Sequence, residues 1–395
     1  MINPHICYAV SWLVALLVYS MGWSILYPSL DVTLIIFIVV TLIVHVILWK
    51  RVKVSERHTQ KSFSEPKIDS LFVTVFIYVL LIVDFVFGGG IPLFKLILNI
   101  PFDYRLFGTP VLHVFVVSFG SFYTVYLFHF YLTSKKKKYL YLFLLNLSIA
   151  ILICSRAMLI FNLTAAAVLY LNSLQRLPLR LVFYSVPAIV VILFLFGVVG
   201  TRRASFELNQ SYNTNLFLEN GEASSSFRKS SVPSEFFWSY FYISSPLANL
   251  QLNIRHFKVP SLSWKRSLEF FNNEILFESI SKRLNALLKI HRESEFRVKS
   301  HFNASTIYSV SYSYLGWLGM VIMALYLIAF PIFYERMTSL TSCQSVGNAI
   351  ICCCYLFLAY DNTLRLMGLG FQLIYPLVYP LFENIFVKMI PLSKI

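Results

Sequence analysis

Acidic residues are scarce in this sequence: 18 Asp and Glu stand against 33 Lys and Arg in 395 residues. Charged residues of either sign make up only 13%, and with a mean hydropathy of +0.70 that scarcity excludes an ordinary soluble globular domain. Cysteine is missing from the one long polar stretch, 200–301; the six are Cys7, Cys154, Cys343 and the run Cys352, Cys353 and Cys354. A disulfide-stapled external domain is therefore excluded, and the run reads as small apolar residues of a buried helix. A basic segment before the first apolar run and a small-residue cleavage site after it are also missing, so that run is expected to be retained as a helix. No P-loop, dinucleotide fingerprint, zinc spacing or nucleophile elbow occurs. Nor is there an internal repeat, which weighs against transporters built from duplicated halves.

What is present is apolar, with 58% hydrophobic and 17% aromatic residues. Runs long enough to cross a bilayer, about 20 residues each, fall near 6–27, 31–49, 69–89, 109–132, 139–155, 157–174, 180–199, 306–331, 345–361 and 367–387. The expected fold is an all-α polytopic integral membrane protein with about ten transmembrane helices. If the spans alternate, Lys50, Arg51, Lys53, Arg57, Lys61, Lys67, Lys135 to Lys138, Arg176, Arg180 and Arg336 all fall on one side. The positive-inside rule makes that side cytoplasmic, together with both termini. The other side receives Asp31, the 88–109 segment, the Arg156 turn, the polar stretch and 361–365. Three parts follow: helices over 1–199, a large loop over 200–305 and helices over 306–395. The net charge of +15 places a basic excess at the bilayer surface, facing anionic lipids or substrates; nucleic acid is not an expected partner.

Within the polar stretch, 262–290 carries Leu268, Phe271, Ile275, Leu276, Ile280, Leu284 and Leu287 at helical spacing, which predicts one amphipathic helix on the membrane or over a cavity. Upstream, Phe236, Phe237, Trp238, Tyr240, Phe241 and Tyr242 form an aromatic belt expected at the interface. The stretch reads as a lid.

Arg156, in CSRAML, lies between two apolar runs that are each short for a span. An arginine near membrane depth costs roughly 2.5 to 3.5 kcal/mol and usually marks a water-filled cavity; the bland alternative is a hairpin-tip residue. Arg202 and Arg203 follow Gly197 and Gly200 in FGVVGTRRAS, where the backbone is expected to break. Their planar forks suit phosphate oxygens, although snorkelling anchors would look the same. His301, in KSHFNASTIY, is a candidate general base, against the alternative of an interfacial residue. Asp84 is an intramembrane carboxylate, and with Arg202, Arg255 and Tyr240 it is a candidate for binding substrate. His45, His113 and His129 read as helix-packing residues, and His291, Glu293 and Glu295 as a solvated segment whose spacing of two suits no metal.

Taken in order, these features resemble the Wzy-type oligosaccharide repeat-unit polymerases that make bacterial O-antigen and capsular polysaccharide. The resemblance rests on about ten spans, the Ser155–Arg156 turn, the Gly200 to Arg203 exit, YFYISSPLANL, and HFNAST followed by YLGWLGM, over roughly 140–330. It implies a GT-C-like architecture in the bacterial inner membrane with a large periplasmic loop. It also implies glycosyl transfer between undecaprenyl-diphosphate-linked oligosaccharides on the periplasmic face, with a chain-length regulator as an optional partner. Arg156 and Arg203 would then stabilise the departing diphosphate, and His301 would activate the acceptor hydroxyl. The first outer loop offers only Asp31 where metal-dependent relatives carry an acidic pair, so no metal or other cofactor is expected. O-antigen ligases share this pattern; a lipid-linked-sugar flippase or an intramembrane acyltransferase using His113 or His129 are alternatives of other classes.

Overall fold

A computed structural model of the chain describes residues 2–51, 65–98, 100, 107–174, 178–207, 211, 213–258, 261–290, 295–299, 302 and 304–389, with only the backbone at 182, 203, 204, 206 and 207. Among the described residues no β-strand occurs; an isolated bridge joins Ser24 to Ala223. The first helices are α1 (Pro4–Ser20), α2 (Val32–Arg51), α3 (Ser70–Phe87), α4 (Pro92–Ile97), α5 (Leu112–Ser134), α6 (Lys137–Leu152), α7 (Arg156–Ser173) and α8 (Leu179–Glu207). The polar stretch supplies α9 (Asn215–Asn220), α10 (Ser225–Arg228), α11 (Phe236–His256), α12 (Trp264–Phe270) and α13 (Glu278–Leu288). The chain then continues through α14 (Ile307–Thr338), α15 (Gln344–Leu356) and α16 (Tyr375–Met389).

Each expected span falls on a helix. Five helices (α2, α3, α5, the Leu179–Arg202 part of α8, and α14) are long and apolar enough to cross a membrane, and α1 and α15 are shorter apolar helices. Local signals explain the ends. Asn3 accepts from the Ile6 amide and Pro4 opens α1, while Ser155 accepts from the Met158 amide at the start of α7, both ordinary N-terminal caps. Gly316, at φ 61°, kinks α14, a backbone state that a side chain rarely tolerates.

The core runs down α5, which packs against α3, α6, α7 and α15, while α1 packs against α2, α11 and α15. Trp12, Phe122, Tyr123, Phe161, Tyr308 and Tyr355 are fully buried between them. Cys352, Cys353 and Cys354 are buried and free, as the run of small residues suggests.

Three expectations about the polar stretch change. Gly197 and Gly200 do not break α8, which runs on to Glu207. They give α11 room instead: a Cβ at Gly197 would lie 1.9 Å from the Glu235 carbonyl oxygen, and one at Gly200 would lie 2.7 Å from the Trp238 ring. The aromatic residues before Pro246 are not a surface belt. Phe237, Tyr240 and Phe241 are buried with Phe217, Phe227 and Phe302 in a second apolar cluster, and α11 itself packs on α1, α8 and α14. The single amphipathic helix is interrupted, because α12 passes into a π-turn (Phe271–Ile275) before α13 begins. Of its apolar residues, Leu268, Phe271, Ile280 and Leu287 are exposed, the side a helix on a membrane surface would present to lipid, whereas Asn272, Asn273, Glu274 and Ser281 are buried. A network explains this, since Asn285 donates to Asn273 at 2.8 Å and Ser281 to Asn273 at 3.1 Å. Paired amides bury at low cost, leaving the apolar side for the bilayer surface.

Candidate functional site

Several connections converge at the end of the bundle that carries the polar stretch. The Glu278 amide donates to the Arg365 carbonyl at 3.0 Å and the Ile307 amide to the Leu358 carbonyl at 3.1 Å. Asn362 Nδ2 donates to the Glu274 carbonyl at 3.0 Å. A Cβ at Gly368 would touch Val117 of α5 at 3.4 Å. The α15–α16 connection is thus held between α5, α13 and α14.

Arg365 lies in that connection. Its backbone is held on both sides, with its amide donating to the Asn362 carbonyl at 3.1 Å. The residue is 6% exposed, yet Nε has no hydrogen-bond partner, and among the described residues no carboxylate pairs with its guanidinium. Asn362 Oδ1 and Gln372 Oε1, on the same connection, are likewise buried and unpartnered. A buried cation lacking a counter-charge costs several kcal/mol, and unsatisfied buried groups are rare enough to need a reason. Binding an anion would supply one. Gly370 makes the geometry possible, because a Cβ there would stand 1.9 Å from the Leu364 carbonyl oxygen.

Arg156 begins α7 and is exposed rather than buried at membrane depth. The turn before it places Cys154 at φ 54°, a left-handed conformation uncommon outside glycine. Its charge acts electrostatically on Tyr360, in the α15–α16 connection. Tyr360 is stacked with Tyr242 of α11, with ring centroids 6.3 Å apart. One connection therefore links the surroundings of Arg156 to Arg365.

Across α5 lies a carboxylate–imidazole pair. Asp84, at 0% exposure, accepts from the Thr109 amide at 2.7 Å through Oδ1, and its Oδ2 stands 2.7 Å from His113 Nδ1. The His113 side chain keeps 27% exposure. A carboxylate only accepts, so Nδ1 carries a proton, and in the neutral imidazole Nε2 is then the acceptor. Gly108, at φ 99°, permits this arrangement, since a Cβ there would fall 2.4 Å from the His113 ring. Val111, at φ 71°, is a β-branched residue in a strained conformation of the kind that accumulates at functional sites. The Thr109 hydroxyl beside the pair is buried without a partner.

The other residues expected from sequence are scattered. Arg202 is exposed on α8, and the Arg203 side chain and His301 lie outside the described residues. Arg255 is not free to bind substrate: Nη2 and Nε donate to Asp31 Oδ1 at 2.7 and 3.1 Å. This pair, helped by Gln251, holds the Asp31 carboxyl below its ordinary value. Tyr240 is 2% exposed and accepts from the Ser24 amide at 3.3 Å, and burial pushes its phenol up to about 12. It packs the loop rather than facing a ligand. Asp84 has both oxygens engaged internally, so it orients His113 instead of contacting substrate directly. His45, read as a packing residue, stands 3.0 Å from His5, Nδ1 to Nδ1, inside the bundle.

Sequence reading passed over Arg365 and the pairing of His113. Arg365 has Asp361 four residues before it, which suggests an ion pair that does not form. The Asp84 to His113 contact spans a separation of 29 residues, beyond any local pattern; Gly88 to Gly90 and Gly108 were the available signal. No family model matches the chain, and no curated protein or solved structure is significantly similar to it.

Proposed function

We propose that the protein is a polytopic glycosyltransferase of the Wzy type. In this reading about ten helices cross the membrane in a GT-C-like arrangement, and the end bearing the polar stretch faces away from the cytoplasm. The growing glycan leaves its undecaprenyl diphosphate and joins a sugar hydroxyl of the next lipid-linked repeat unit. The observation that carries this reading is Arg365, a buried residue whose Nε has no hydrogen-bond partner and with which no carboxylate pairs among the described residues, at the same end as Arg156. Such a cation is suited to an anion whose charge grows in the reaction. Stabilisation is strongest where water is excluded and the donors are already in place. A diphosphate leaving group has that charge, and its lipid brings it to the end of a membrane helix.

Tyr242 and Tyr360, stacked beside Arg156, offer ring faces of the kind that sugars pack against. Deleting the gene and resolving surface glycans by length tests the proposal. Loss of long chains with retention of a single repeat unit supports it. An unchanged ladder, or loss of even the first unit, sinks it.

A further inference from the structure

We propose that His113, oriented by Asp84, is the proton acceptor for the attacking hydroxyl. This rests on the glycosyl-transfer reading and gives it a base among the described residues. Three observations carry it. Asp84 is wholly buried and spends one oxygen on the Thr109 amide and the other on His113 Nδ1. An imidazole so held has one tautomer and one orientation, which is what an adjacent carboxylate supplies to a general base. His113 also keeps part of its surface open, unlike His5 and His45, which are both 1% exposed. Finally, its depth matches the cationic groups. His113 lies on the first turn of α5. A Cβ added at Gly368 of the Arg365 connection would touch Val117, one turn further in, and one added at Gly120 would lie 4.0 Å from the side chain of Met158, two residues after Arg156. Base, leaving-group cation and helix start therefore ring the same end of α5 within about two turns, roughly 11 Å along its axis.

The step balances without a co-reactant. The acceptor hydroxyl oxygen bonds to the donor's anomeric carbon as its proton passes to His113 Nε2. The bond from that carbon to the diphosphate oxygen breaks, and the electron pair leaves with the lipid diphosphate. The imidazolium then returns its proton to water or to the departing phosphate. Asp84 is a positioning residue, since it does not touch the reacting atoms.

The test uses the full-length protein in detergent or vesicles with a synthetic lipid-diphosphate-linked repeat unit. It measures chain elongation, and separately the binding of a photo-crosslinkable donor. His113→Gln is expected to slow elongation roughly 10²- to 10⁴-fold with donor binding retained, and His113→Gly to recover activity when free imidazole is added. Asp84→Asn is expected to lower turnover more than it raises KM. Removing either partner alone leaves the other without its counterpart and can unfold the site, so the D84N/H113Q double variant is included. It keeps an amide pair in place of the carboxylate–imidazole pair, and is expected to match the wild type in thermal unfolding while staying inactive. Elongation by H113Q or by the double variant at the wild-type rate overturns the assignment of the base and leaves the polymerase reading standing. Failure of the wild type to elongate this substrate overturns both.

Discussion

A carboxylate and a guanidinium at the loop-bearing end stand in opposite circumstances. Asp84 is buried but fully engaged by an amide and an imidazole, so its charge is compensated within the fold. Arg365 is buried with Nε unpartnered, and no carboxylate pairs with it among the described residues; in the proposed reading that charge meets the diphosphate. Arg365→Ala is expected to reduce elongation about 10²-fold, the usual consequence of losing one donor to a developing anion, and Arg365→Lys to recover little, because a point charge does not reproduce the guanidinium fork. Glycan ladders from complemented cells, with immunoblots for membrane insertion, check this; a normal ladder for R365A would remove the carrying observation. The Arg255–Asp31 contact behaves differently. The Asp31 carboxyl is held below its usual 3.8 by the hydrogen bond from Arg255. Its contribution is therefore complete above that pH and is lost as pH falls through the lowered value. Hydrogen exchange in the α1–α2 turn should accelerate only below about pH 4, and R255A should show fast exchange at every pH. An acid response that R255A leaves intact would assign the effect to another group.

At the scale of elements, small residues decide where helices meet. Gly197→Ala would drive a methyl into the Glu235 carbonyl, so α8 and α11 must separate or bend. A destabilisation of about 1 to 3 kcal/mol is expected for such overpacking, read as a lower unfolding temperature in detergent. Gly370→Ala meets the Leu364 carbonyl in the same way and should disable elongation as well, since it moves the connection that carries Arg365. Wild-type unfolding and wild-type turnover in both variants would show that these contacts relax at no cost. The sequence made α1, α2, α3, α5 and α14 legible through their long apolar runs. It did not foresee the break in 262–290, nor that Asn272, Asn273, Ser281 and Asn285 satisfy one another, because a hydropathy pattern counts such residues as exposed.

At the scale of the molecule, the membrane reading concentrates its risk in topology. Ser225 opens α10 and is exposed. In a variant lacking the six native cysteines, Ser225→Cys is expected to react with an impermeant maleimide added to intact cells. Labelling that requires broken membranes would place the polar stretch, Arg365 and His113 in the cytoplasm and remove the glycosyl-transfer reading with them. The polar stretch is no detached cover: α11 lies against α1, α8 and α14, and the Arg255 clip ties it to the first turn.

The sequence alone determined the helices, because hydropathy acts locally and can be summed along the chain. Tertiary structure decided which polar residues are spent and which are left over. Arg255, Tyr240 and Asp84 found partners 224, 216 and 29 residues away, whereas Arg365 Nε has no partner among the described residues. Whether a charge is compensated depends on what burial brings beside it, and that proximity is a property of packing that no local pattern records.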